Sequence, residues 1–258
     1  MIDSSKAPGC SQCRDLPPLT FEFTMAFQPI VDLKARKVWA YEALVRGPKG
    51  EGAYEVLNQV TEDNRYQFDQ MCRIRAIELA AQLGVECYLS INILPNAIYR
   101  PESCIRLTLS AAKENQFPCD RLMFEVTESE PVRDPEHLRN IFEEYRSRGF
   151  ITAIDDFGAG HAGLNLLAEF QPHVLKLDMA LIRNIDTNKV RQSIVTGIIS
   201  TAQALGIKVI AEGVETAAER DCLLALGVEL FQGYLFARPS VESLPEVDFS
   251  RHGAAAAP

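Results

Sequence analysis

The constraint that dominates this chain is alternation. Short apolar runs are interleaved with helix-length amphipathic segments, and nearly every apolar run ends in a charged or amide residue. Strands are expected at Phe21–Ile30, Val38–Arg46, Cys87–Ile93, Leu122–Val126, Ile151–Ile154, Val174–Leu177, Lys208–Ala211 and Leu230–Phe231. Helical periodicity fills Gln67–Leu83, Glu102–Asn115, Pro135–Arg148, Gly163–Phe170, Thr187–Leu205 and Thr216–Leu226. Arg73, Arg75, Glu78 and Gln82 fall on the expected outer face of the first helix. Gly84, Gly149, Gly206 and Gly227 stand where helices commonly stop, just past a last turn. The first two strands are separated only by Val31–Lys37 and should pair antiparallel, whereas the later strands need crossovers and should run parallel. With about eight strands and no dinucleotide glycine fingerprint after the first, the expected class is α/β, a (β/α)8 TIM-like barrel with an antiparallel first strand.

The residues that close the apolar runs carry the chemistry. The second run leads into Glu42 and Arg46, the third into Asn92 and the fourth into Glu125, Thr127 and Glu128. The fifth delivers Asp155 and Asp156, the sixth Lys176 and Asp178, the seventh Glu212 and the last Gln232. In a barrel the C-terminal strand ends converge on one mouth, so Glu42, Asn92, Glu125, Asp155 and Asp156 should meet. A single Asp before Phe-Gly is ordinarily a turn residue, and a single Lys after apolar residues is ordinarily solvated. Five oxygen ligands and a lysine at successive strand ends form a pattern that turns alone do not produce. Carboxylates packed that closely force protonation unless cations compensate them. Hard divalent ions with all-oxygen ligands, Mg²⁺ or Mn²⁺, are the simplest compensation. Glu42, Asn92, Glu125 and Asp155 would ligate one ion, and Asp155 and Asp156 the other. Two such ions about 3.5–4 Å apart suit phosphate-ester hydrolysis.

Charge narrows the partners. With 26 Lys+Arg against 35 Asp+Glu, a net charge of −9, the chain is unsuited to coating a nucleic-acid polymer. A small anion remains admissible if metals reverse the sign at the mouth. No apolar stretch is long enough to span a bilayer, no secretory signal opens the sequence, and the seven cysteines lack framework spacing. A cytoplasmic protein with reduced thiols is expected, without membrane partners. Residues 1–19, which hold the Cys10-x-x-Cys13 pair, read as an irregular leader, 20–245 as the barrel and 246–258 as a flexible tail.

The set Glu42-Ala43-Leu44, Asn92, Phe124-Glu125-Val126-Thr127-Glu128, Asp155-Asp156-Phe157-Gly158, Lys176-Leu177-Asp178, Ala211-Glu212-Gly213-Val214-Glu215 and Gln232-Gly233-Tyr234 resembles the EAL domain. That family comprises bacterial phosphodiesterases that hydrolyse cyclic di-GMP to linear pGpG with Mg²⁺ or Mn²⁺. The resemblance implies that Glu42, Asn92, Glu125, Asp155 and Asp156 are metal ligands. It implies that Lys176 holds or deprotonates the attacking water, with Glu212 as acidic partner. Gln28, Arg46 and Gln232 would contact substrate, Arg46 as a phosphate clamp, while Gln232 would also bond metal-bound water. Glu128 would order the loop after Asp156, through which a homodimer is implied. His161-Ala162-Gly163 departs from the commoner aromatic and serines, which bears on loop control and not on the ligands. Two alternatives stay open: a catalytically silent cyclic di-GMP receptor or protein-interaction module, and an unrelated barrel metallohydrolase.

Overall fold

In the computed structural model, which describes residues 19–127, 135–160 and 163–252, the barrel begins with a hairpin. Strand β1 (Thr24–Asp32) pairs antiparallel with β2 (Lys37–Arg46), and the Asp32 carboxylate accepts the Ala35 N–H at 2.7 Å to tighten the turn. The expected strand start at Phe21 is not observed. Phe21 and Phe23 instead pack against Phe68, at ring separations of 6.0 and 5.2 Å, covering the first long helix. A short α1 (Ala53–Leu57) precedes that helix, α2 (Arg65–Gln82). Then follow β3 (Tyr88–Asn92), α3 (Pro101–Cys104), α4 (Arg106–Glu114), β4 (Leu122–Thr127) and α5 (Pro135–Ser147). The chain continues through β5 (Ile151–Phe157), α6 (Gly163–Glu169), β6 (Val174–Leu177), α7 (Met179–Ile182) and α8 (Lys189–Ala204). It ends with β7 (Lys208–Ala211), α9 (Ala217–Ala225), β8 (Leu230–Phe231) and β9 (Ser240–Val241).

The sheet order is β2-β3-β4-β5-β6-β7-β8-β1, closed by β1 on β2. Strands β2 to β8 are parallel, and β1 is antiparallel to both neighbours. This is the expected eight-stranded barrel with a reversed first strand. The antiparallel β9 adds to β1 outside the closure, a two-residue strand too short to announce itself in sequence. The four expected stop glycines, Gly84, Gly149, Gly206 and Gly227, all have positive φ.

Two apolar layers hold this arrangement. The larger packs helices against the outside of the barrel. A smaller one plugs the barrel interior with Ile30, Ala40, Met123, Ala153, Val174, Ile210 and Leu230, all buried. One expectation about α2 is corrected. Arg73, expected on the solvent face, is wholly buried, ion-paired with Asp69 at 2.7 Å and donating to Thr108 on α4 and Tyr145 on α5. Helices α4 and α5 cover that side of α2, which periodicity within α2 cannot reveal. Arg75 and Glu78 are part-exposed and Gln82 is exposed, as expected for the outer face.

Candidate metal centre

Side chains on a strand alternate with a period of two, so the residue two beyond an interior position also points inward. Two steps toward the mouth from Ile30, Ala40, Met123, Ala153, Val174, Ile210 and Leu230 stand Gln28, Glu42, Glu125, Asp155, Lys176, Glu212 and Gln232. The apolar plug thus forms the floor of a polar layer. Strand β3 supplies Ser90, in register with Glu42 on β2, and Asn92, in register with Glu125 on β4.

Lys176 sits at the centre of that layer with no solvent exposure. Its Nζ lies 2.7 Å from Glu212, 2.8 Å from Glu125, 3.0 Å from Asp155 and 3.4 Å from Glu42. Burial alone would lower the ammonium pKa, but Asp155, Glu125, Glu212 and Glu42 outweigh it and raise it well above the ordinary lysine value. Four carboxylates exceed what one cation can compensate. Burial, with Glu42 and Asp155 beside it, lifts the Glu125 carboxyl to about 8 even against the attraction of Lys176. Burial and Asp155 likewise raise Glu212. Asn92 donates to Glu42 Oε1 at 2.9 Å, and Gln232 donates to Glu42 Oε2 at 2.6 Å and to Gln28 Oε1 at 3.3 Å. Gln28 in turn donates to the Ala237 carbonyl.

Asp155 and Asp156 are adjacent, so a regular strand would send them to opposite faces. Between the pairs Ile154–Leu175 and Phe157–Leu177, β5 carries two residues where β6 carries only Lys176. This is a β-bulge, and bulges re-aim side chains beside active sites. Asp156 occupies the left-handed region at φ 53, and its N–H donates to Asp155 Oδ1 at 2.9 Å. Burial, then Asp155 and Asp178, push the Asp156 carboxyl up to about 6.

The donors fit hard cations. Glu42, Glu125 and Asp155 can bring one oxygen each within 4.8 Å of one another, and so can Asp155, Asp156 and Glu212. Asp155 is common to both groups. Glu125 Oε1 and Gln232 Oε1 are buried without a hydrogen-bond partner, which leaves acceptors for a cation or its water. All-oxygen sites of this kind suit Mg²⁺, Mn²⁺ or Ca²⁺.

The remaining expected residues lie apart from this cluster or outside the described chain. Arg46 is at the mouth end of β2, four residues beyond Glu42 and on the same strand face, with its guanidinium donating to the Val45 carbonyl. Glu128, His161, Cys10 and Cys13 lie outside the described residues. Two features went unassigned in sequence. Asp178, which caps α7 by accepting the Ala180 N–H, raises the Asp156 carboxyl; its position in the Lys-Leu-Asp triplet was the available signal. Ser90, whose Oγ is buried without a partner, stands two residues before Asn92 and could have been found by the same period-two count.

A parallel barrel with one reversed strand, whose mouth gathers carboxylates around a buried lysine, is a TIM-like barrel with acidic groups that could hold divalent metal ions. Residues 19–239 match the family described as EAL domain, and the chain belongs to that family. Among curated relatives, the blue light- and temperature-regulated antirepressor BluF of Escherichia coli is 33% identical over 86% of this chain and 55% of its own length. The cyclic di-GMP phosphodiesterase RocR of Pseudomonas aeruginosa is 35% identical over 63% of this chain and 41% of its own length. The chain therefore spans about half the length of these relatives. Among solved structures, a standalone EAL protein from Vibrio cholerae bound to c-di-GMP is 58% identical, with a TM-score of 0.88 over 90% of this chain and 99% of that one. BlrP1 of Klebsiella pneumoniae in a manganese and c-di-GMP complex is 36% identical, with a TM-score of 0.83 over 87% of this chain and 58% of that one.

Proposed function

We propose that this chain is a metal-dependent phosphodiesterase that hydrolyses cyclic di-GMP to linear pGpG. The observation that carries the reading is the pair of carboxylate triads that share Asp155 around Lys176. Support comes from the c-di-GMP held by the Vibrio cholerae protein, the manganese in the BlrP1 complex and the activity in RocR's name.

Glu42, Asn92, Glu125 and Asp155 would hold one Mg²⁺ or Mn²⁺, and Asp155 and Asp156, with Glu212 alongside, a second. Bound there, the cations supply Lewis acidity and neutralise phosphate charge. The chain's own residues do the rest. Gln28 and Gln232 meet the substrate from the barrel rim, and Gln232 fixes the orientation of Glu42 through its 2.6 Å hydrogen bond. Arg46 offers a planar fork for two phosphate oxygens once its guanidinium leaves the Val45 carbonyl. Lys176 Nζ and the Glu212 carboxylate, 2.7 Å apart, hold the attacking water and move its proton. The surrounding carboxylates keep Lys176 protonated, so its service as a base depends on added positive charge lowering its pKa. Water adds across one P–O3′ bond, leaving a 5′-phosphate on one nucleotide and a free 3′-hydroxyl on the other.

A second reading, a silent receptor or protein-interaction module, is favoured by the likeness to BluF, whose name is that of an antirepressor. The test is product chromatography after incubation with cyclic di-GMP and Mn²⁺, Mg²⁺ or Ca²⁺ in parallel, across protein concentration. Formation of pGpG that disappears in Glu42→Ala supports the phosphodiesterase; tight binding without product supports the receptor; pGpG at native rate from Glu42→Ala overturns the shared-ligand assignment. We propose that the chain forms a homodimer, as the resemblance implies, and the concentration series tests this as well. No helix among the described residues is long and apolar enough to cross a membrane. We propose a cytoplasmic location.

A further inference from the structure

The segment leaving β3 is held by an unusual partner. Asn92 ends the strand, and the Ile93 N–H still donates to the Glu125 carbonyl at 3.0 Å. The next donor, the Leu94 N–H, finds no strand and donates instead to Asp69 Oδ1 on α2 at 2.9 Å. Pro95 then has no N–H to offer and starts a short 3₁₀ turn. Asp69 therefore completes the ladder two residues beyond Asn92. Its other oxygen accepts from Arg73 at 2.7 Å, and both side chains are essentially excluded from solvent. Arg73 is itself fixed by Thr108 and Tyr145, at 3.2 and 3.4 Å.

A buried ion pair is a poor source of stability, because an apolar pair of similar volume commonly does as well. What an apolar pair cannot do is accept the Leu94 N–H. We propose that Asp69, held by Arg73, is a positioning residue that sets the backbone behind Asn92 and so aims its carboxamide at the cation shared with Glu42. This rests on the assignment of Asn92 as a cation ligand. Partners of this kind, one shell beyond the ligands, typically change metal affinity by about 10–100-fold when removed.

The test compares two double variants of the full chain, Asp69→Leu with Arg73→Met and Asp69→Asn with Arg73→Met. Neither leaves an unpaired buried charge, and they differ in whether residue 69 can accept the Leu94 N–H. Mn²⁺ affinity is read by electron paramagnetic resonance of free Mn²⁺, without substrate. The expected result is about a tenfold or greater loss for the leucine variant and an affinity within about threefold of wild type for the asparagine variant. Equal affinities in the two variants, high or low, would overturn the proposal. Wild-type protein that binds no Mn²⁺ would overturn it together with the metal site beneath it. Thr108→Val removes one contact of Arg73 but leaves the Asp69–Arg73 pair and the Leu94 bond in place, so it should lower the melting temperature with Mn²⁺ affinity unchanged; a tenfold loss of affinity there would overturn the proposal. Hydrogen exchange in the unsubstituted chain needs no variant to fold: a Leu94 amide exchanging as fast as a solvated loop would also overturn the assignment.

Discussion

Replacing Lys176 by methionine removes the ammonium from a buried ring of four carboxylates at nearly constant volume. Glu42, Glu125, Asp155 and Glu212 all lie within 3.4 Å of that ammonium. Breaking a buried ion pair from one side costs about 3–5 kcal/mol. A second route gives the same scale. The ring must neutralise at least one more carboxyl, and doing so at pH 8 against an unfolded pKa near 4.3 costs about 5 kcal/mol. The cost falls by about 1.4 kcal/mol per pH unit, so at pH 6 it is about 2 kcal/mol. For a chain of this size, Lys176→Met should melt about 6–20 °C below wild type at pH 8 and about 4–8 °C below it at pH 6. The assay is calorimetric melting of EDTA-treated protein at both pH values. Repeating it with saturating Mn²⁺ should narrow the gap, because added positive charge takes over the role of the ammonium. An equal loss at pH 6 and pH 8 would refute the electrostatic argument, as would no loss at all.

Asp156→Gly should raise metal-free stability by about 1 kcal/mol, since φ 53 suits glycine better than aspartate, while Mn²⁺-dependent hydrolysis falls at least tenfold; melting and product analysis check the two halves. Mn²⁺ affinity should climb between pH 6 and pH 8.5, because cations compete with protons held by Asp156 at about 6 and Glu125 at about 8; a flat titration would contradict those values. The same raised carboxyls mean that the folded, metal-free chain binds protons the unfolded chain does not. Its stability should therefore decline as pH rises from about 4.5 to 8, measurable by urea unfolding with EDTA. Gly233→Ala should cost about 3 kcal/mol in urea unfolding and displace Gln232, because a Cβ there would lie 2.1 Å from the Val214 carbonyl oxygen.

Much of the molecule was legible because barrel strands obey a period of two. Val174 and Lys176, or Met123 and Glu125, are an apolar floor position and the functional group above it, and both members are visible in sequence. The alternation of strand and helix likewise fixed the parallel order, and the short separation of the first two strands fixed the reversal of β1. The helix-stop glycines behaved as local geometry requires. Phe21 and Phe23 did not, since aromatic residues before a strand serve equally well as cover for a helix.

By itself, then, the sequence determined the barrel, its reversed first strand and the polar residues that crown it. These follow from local periodicity and from apolar residues that must be buried. The tertiary structure decided what depends on register and on neighbours distant in the chain. The bulge opposite Lys176 turns Asp156 to the same mouth as Asp155, and a bulge is a mismatch between two strands that neither strand encodes alone. Arg73 is buried because α4 and α5 close over it, and Asp69 reaches Leu94 because α2 packs against the end of β3. The protonation of the ring is likewise a property of the assembled site: Lys176 is held charged, and burial with Glu42 and Asp155 lifts Glu125 toward 8, only when five strand ends bring their charges together.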